Sequence, residues 1–200
     1  MAGRGLAEII LHVVEGTPTD RLSYLRGFGV EVRTVRRFDE RHPNSNKLAQ
    51  LDSLALADAS TVVLTDCDLV FAGRIDALFA GGEAVAAKRV DMGRPRYARW
   101  RQIFMAAGFS DPDLGLSTHT KEATYVHNYN GGIYVLEQPA FRALGEAWPR
   151  WNRWLLDRPE LLGREIFYTD QVSFGLAIHE LGLTVRMLSS EFNFPTHYPN

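Results

Sequence analysis

STVVLTDCDLVF, residues 60–71, runs from a β-favouring apolar stretch straight into two aspartates and then out into apolar residues again. Val62, Val63 and Leu64, flanked by threonines, read as a buried strand. Asp66 and Asp68 follow where the strand ends and its last side chains leave the core. Carboxylates at i and i+2 can share one face. Together they suit a hard divalent ion, Mn²⁺ or Mg²⁺, whose remaining positions are filled by phosphate oxygens. An unpaired acidic pair against such a strand would be costly to bury, which favours the ion over a cap or turn role. Cys67, between them, is the single cysteine, so no internal disulfide framework exists. Its negative neighbours disfavour a thiolate, and it reads as a small space-filling residue.

On either side, Val- and Ile-rich runs alternate with helix-length segments, the pattern of an α/β fold. LAEIILHVV, residues 6–14, reads as a strand, and TPTDRLSYLRGFG as a short helix with Thr17 before Pro18 as its cap and Gly27 or Gly29 as its stop. VEVRTVRRF alternates with period two, a strand exposed on one face. SNKLAQLDSLALAD carries Leu48, Leu51, Leu54 and Ala55 at helical spacing. After the quoted strand come a short helix at 75–79 and the strand EAVAAKRV. Residues 91–124 show no repeat beyond a helical stretch at 97–107, and a long connection of that kind is usually functional. YNGGIYVLE is a further strand, followed by helices over 138–157 and 168–182 and one or two short strands in LTVRMLSSEFNF. The expectation is one α/β domain over residues 1–200, with a mixed sheet.

Length and a 46% hydrophobic content allow one sizeable core. Acidic residues outnumber basic ones, 24 to 22, so no overall basic field points to nucleic acid. No apolar run approaches the ~20 residues of a membrane span, and the first residues lack a signal-peptide pattern. A cytoplasmic protein is expected, with peripheral membrane contact as a second reading. That second reading rests on the basic run Lys88, Arg89, Arg94, Arg96, Arg99 and Arg101, which could meet an anionic acceptor or a membrane surface. A solvated loop and helix face is the simpler account. Trp148, Trp151 and Trp154 recur on one helix, where packing against the core is favoured over a carbohydrate platform.

Other candidates are weaker alone. Asn130-Gly131-Gly132 opens a strand with glycines that let backbone approach a ligand or supply a turn. Asp170-Gln171 stands at a helix start, where an Asp also suits a cap. Asn46-Lys47 likewise begins a helix.

In chain order, N-K-L at 46–48, D-x-D at 66–68, Y-N-G-G at 129–132, D-Q at 170–171 and F-N-F at 192–194 make a stronger signal. The succession resembles the GT-A glycosyltransferases, most closely glycosyltransferase family 8, and spans nearly the whole chain. The resemblance implies a single GT-A (Rossmann-like) domain with a mixed, mostly parallel central sheet flanked by helices. It implies a hexosyltransferase-type enzyme that moves a sugar from a nucleotide-sugar donor, usually a UDP-sugar, to a carbohydrate, lipid-linked or other hydroxyl acceptor, with retention. By that resemblance Asp66 and Asp68 hold Mn²⁺ against the diphosphate, Lys47 contacts the donor, and Asn130, with Gly131 and Gly132, meets the donor sugar. Asp170 would take sugar hydroxyls, with Gln171 near the anomeric carbon. Leaving diphosphate develops charge that the ion and Lys47 would neutralise while the bound sugar is held for attack.

Two family pieces have no counterpart in this sequence: a first strand and loop for the nucleobase, and a C-terminal metal-binding His with a G-x-x-K-P-W-like segment. His197 precedes the place expected for that ligand. The expectation is therefore a transferase domain lacking both pieces, and the alternative is a non-catalytic transferase-like binding module. DCDLV also fits the nucleophile motif of haloacid-dehalogenase-like phosphatases, in which the first Asp would be phosphorylated. That family places the motif on its first strand, whereas strand-like runs precede it here, and D-Q and N-G-G have no part in such a scheme.

Overall fold

The computed structural model describes residues 8–53, 56, 58–73, 75–79, 81–116 and 120–193. The chain divides into two compact units, Met1–Asp52 and Ser53–Asn200.

In the first unit, β1 (Ile9–Val14) and β2 (Val30–Val35) pair in parallel from Ile9↔Val30 to Val14↔Val35. Parallel neighbours need a crossover, here the 3₁₀ segment Asp20–Phe28. Its N-cap is Thr19 rather than Thr17, and it stops at Gly29, whose φ of 77° returns the backbone N–H to the Arg26 and Leu25 carbonyls. A second 3₁₀ segment, Pro43–Asp52, buries Leu48 and Leu51. It replaces the longer α-helix expected there; Leu54 and Ala55 lie outside the described residues.

The second unit is built on a four-stranded sheet in the order β3-β7-β4-β8. Its strands are β3 (Thr61–Thr65), β4 (Val85–Arg89), β7 (Tyr129–Glu137) and β8 (Val185–Leu188). β7 runs antiparallel to both neighbours and β8 parallel to β4, so three strands share one direction and the central β7 opposes them. The mixed, mostly parallel α/β sheet expected from the sequence is present. Alternation along β7 sends Ile133 and Val135 to one face, against Leu78, Ala86 and Leu188. Tyr134 and Leu136 go to the other, where α2 (Gln138–Leu156) and α3 (Thr169–Leu181) pack.

Phe141, Leu144, Trp148, Trp151 and Leu155 form the apolar stripe of α2, and all are buried. Trp148 and Trp151 are thus core residues, as expected; Trp154 is half-buried under the Arg158 guanidinium.

The region without sequence periodicity is ordered by other means. α1 (Tyr97–Ala107) buries Trp100, Ile103 and Phe104 completely, and a hairpin of β5 (Leu114–Leu116) and β6 (Ala123–Tyr125) follows. The hairpin was not foreseen. Buried Asn128 donates from Nδ2 to the Arg94 carbonyl at 2.7 Å and to Thr124 Oγ1 at 2.9 Å, and Thr124 Oγ1 donates to the Pro95 carbonyl at 3.0 Å. Among the described residues no helix is long and apolar enough to cross a membrane.

Candidate active site

The site grows from the C-terminal end of β3. Beyond Thr65 the ladder continues for one more bond, from the Asp66 N–H to the Gly132 carbonyl at 3.0 Å. The chain then turns away, leaving Asp66 half-buried and Asp68 exposed. Cys67 sits in that turn with its side chain in solvent, so the space-filling reading is corrected: strand pairing ends at Asp66, and nothing directs residue 67 to the core. Val70 and Phe71 are also exposed.

The donor set is one carboxylate at the last paired position of β3 and a second in the exposed turn after it, and among the described residues no group of three or more His, Cys, Asp or Glu could hold a metal on its own. Oxygen-only and incomplete, this set fits a hard ion shared with phosphates rather than a closed protein cage.

The Gly132 backbone connects this turn to a second group of residues. Its N–H donates to Asn130 Oδ1 at 2.8 Å, and the same oxygen accepts from Asn193 Nδ2 at 2.7 Å. Asn130 Nδ2 donates to Asp91 Oδ2 at 2.9 Å. Donor and acceptor chemistry fixes the amide orientation, since the carboxylate only accepts and the peptide N–H only donates. These bonds use one of the two Nδ2 hydrogens and leave the other for a ligand. Glycine at 132 leaves room for the Asn193 side chain, whose Nδ2 a Cβ there would displace.

The other oxygen of Asp91 takes an ion pair from Lys88. Lys88 has no exposed surface, so it does not belong to the solvated basic run in which the sequence placed it. The β4–β7 ladder slips between Ala87 and Arg89, and the lysine is buried there with Asp91 as its counter-charge. Of the remaining run, Arg94 pairs with Glu165 at 3.4 Å and Arg101 with Asp111 at 2.9 Å. Asp91 was not singled out from the sequence. The available signal was a lysine inside the otherwise apolar strand AVAAK with an acid three residues on.

Asp170 is in the first turn of α3 and only 3% exposed, while Gln171 is half-buried. That turn is fixed by α2. Trp148 Nε1 donates to the Asp170 carbonyl at 2.9 Å, Ser173 Oγ donates to the same carbonyl at 2.9 Å, and Asn152 Nδ2 donates to Ser173 Oγ at 3.1 Å. Helix α3 is held close at Gly175, where a Cβ would collide with the His127 carbonyl.

Of the residues singled out from the sequence, Asp66, Asn130 and Gly132 are therefore linked through the backbone of one residue, with Gly131 between the last two. Asp170 is held by a separate network. Lys47 lies in the first unit, half-buried on the 3₁₀ segment whose Asn46 accepts the Phe38 N–H at 2.9 Å. His197 and Phe194 are outside the described residues, whereas Asn193 of the F-N-F motif is one of the partners of Asn130.

Residues 14–182 match the family described as the Rhodobacterales glycosyltransferase domain. No curated protein matches the sequence. Among solved structures, mouse xyloside xylosyltransferase 1 in its apo form superposes with a TM-score of 0.50 at 17% identity, covering 90% of this chain and 72% of that one. At that identity the likeness is one of fold.

Proposed function

The chain belongs to the Rhodobacterales glycosyltransferase domain family, and from that premise we propose that it transfers a hexose from a UDP-sugar to an acceptor hydroxyl, with retention. Asp66 and Asp68 would hold Mn²⁺ or Mg²⁺, which supplies Lewis-acid stabilisation of the leaving diphosphate when bound. Asn130 directs its remaining amide hydrogen to a hydroxyl of the donor sugar. Asp170 accepts from further sugar hydroxyls, and the Gln171 amide steadies the sugar near the anomeric carbon. Lys47 is the basic residue assigned to the donor by the family resemblance.

The observation that carries this reading is the Gly132 backbone. Its carbonyl anchors the acidic turn and its N–H anchors Asn130, so a carboxylate pair suited to ion and phosphate is held next to an amide suited to sugar. Such preorganisation is what transfer to a positioned hydroxyl demands.

Calorimetric titration of Mn²⁺ with and without UDP, on wild type and Asp68→Asn, tests it. Binding that UDP strengthens and the variant loses supports the donor site. A well-folded wild type that binds neither Mn²⁺ nor UDP sinks it. A donor panel should include UDP-glucose, UDP-galactose and, since the mouse protein of similar fold is named for xylose transfer, UDP-xylose.

A further inference from the structure

Tyr134 occupies the middle of β7, opposite Leu64 of β3 and Ala87 of β4. It is 1% exposed, its ring stacked on Phe174 at 4.0 Å between centroids and set edge-on to Trp148 at 5.5 Å. A phenylalanine would fill all of that space. The hydroxyl, however, is buried without a hydrogen-bond partner among the described residues, and an orphan of that kind costs stability. Packing does not explain why it is there.

Its surroundings do. The bond from Asp66 N–H to the Gly132 carbonyl prolongs the β3–β7 ladder, so Asp66 faces the same side of the sheet as Tyr134, one diagonal away. On the covering layer, Asp170 and Phe174 are separated by one turn of α3 and share a helix face. With Phe174 stacked on the phenol ring, Asp170 comes one turn closer to the helix N-terminus, and Trp148 touches both the ring and the Asp170 carbonyl. Burial first, and then Asp170 and Asp66, push the phenol pKa well above its ordinary value, so the group stays a neutral donor.

We propose that Tyr134 is a positioning residue for sugar transfer: its Oη–H donates to the Asp170 carboxylate when the donor is seated, holding that carboxylate against the sugar hydroxyls. The inference rests on the donor-site reading above and adds a residue that does not itself touch the donor.

The test measures three quantities on wild type, Tyr134→Phe and Phe174→Leu: the melting midpoint, the Kd of UDP, and the Kd of the tightest of UDP-glucose, UDP-galactose and UDP-xylose, each with Mn²⁺. For Tyr134→Phe the midpoint stays or rises, since an orphan hydroxyl has gone. UDP binds as before, and the UDP-sugar weakens by about 10–100-fold, the scale for lost outer-shell partners. In an Asp170→Asn background the same exchange weakens the UDP-sugar no further. Phe174→Leu loosens the ring packing and lowers the midpoint.

Unchanged UDP-sugar affinity in Tyr134→Phe overturns the proposal, as does a fall in midpoint that follows Phe174→Leu, or losses that add to those of Asp170→Asn. A wild type that binds no UDP sinks the donor-site reading, and this inference with it. A wild type that binds while Tyr134→Phe matches it sinks the inference alone.

Discussion

The turn at Asp66–Asp68 and the cluster around Asn130 meet at one residue, Gly132, yet they are built in opposite ways. The turn is tied to the sheet at Asp66 by a backbone bond, after which Cys67 and Asp68 reach solvent. The cluster is tied at every atom that matters: Lys88 to Asp91, Asp91 to Asn130, Asn130 to both Gly132 and Asn193. An ion that arrives with its substrate and keeps several ligands outside the protein needs an open, hydrated carboxylate pair. A sugar recognised by its hydroxyl pattern needs donors and acceptors that do not move. The contrast implies that variants of the two regions will fail differently, one in binding and the other in folding.

Asp91→Ala should have the largest effect. It leaves the Lys88 charge buried and unpaired, a loss on the order of 3–5 kcal/mol, and it frees the Asn130 amide at the same stroke. Urea denaturation measures it; a loss below about 1 kcal/mol would mean that the lysine finds water and the region is less closed than the structure indicates.

Asp68→Asn sharpens the contrast from the other side. Its side chain is exposed, so stability should stay within about 0.5 kcal/mol, while transfer falls by about 10²–10³-fold, the scale for removing one preorganised electrostatic partner of a developing charge. A large drop in stability with activity retained would reverse the assignment of the two regions.

Gly132→Ala attacks the junction. The backbone there tolerates alanine, but the new Cβ meets Asn193 Nδ2, so the Asn193–Asn130 bond must yield. Only the end of one half-buried side chain has to turn aside, so the cost is that of the hydrogen bond lost, about 0.5–1.5 kcal/mol. Adding Asn193→Ala should cost little further stability, since the bond has already gone, and should not restore UDP-sugar affinity, because Asn130 has then lost one of its anchors. Denaturation and calorimetry on the single and double variants check both halves.

The same contrast explains what could be read from the sequence. The acidic turn was legible because one strand's alternation and its end are local signals: TVVLT followed by D-x-D needs no knowledge of distant residues. The sheet was legible for that reason too. The cluster was not. Asp91 and Asn193 acquire their roles only when β4, β7 and the segment after β8 are brought together, and a lysine among arginines looks solvated until its ion pair is seen. The hairpin of β5 and β6 was missed because its strands are three residues each, too short for a period to register. Residues 91–96 are held by the side chains of Thr124, Asn128 and Glu165 rather than by any repeat. Cys67 was misjudged because it was read by residue type, as a small and usually buried side chain, whereas its strand ends just before it.

Acid should separate the regions by a smaller margin. His127 precedes β7, shares a hydrogen bond of 2.7 Å with Tyr129, and has its pKa lowered by burial first and then by His179, against an opposing pull from Asp113. A histidine that prefers to be neutral when folded gives stability that is complete above its unfolded pKa of about 6.5. The unfolded chain takes up its proton first as the pH drops below that value, so stability falls until the folded pKa is reached. His12 on β1 is lowered in the same sense, again chiefly by burial. Midpoints measured from pH 8 to pH 5 should therefore decline, and His127→Gln should flatten the decline without removing it, leaving the part due to His12. Asp68→Asn should follow the wild-type profile, because its exposed turn has no share in the buried packing that holds His127 neutral. A profile that changes with Asp68 but not with His127 would break the comparison at its base, since it would make the open turn, rather than the closed cluster, the part of the molecule on which folding depends.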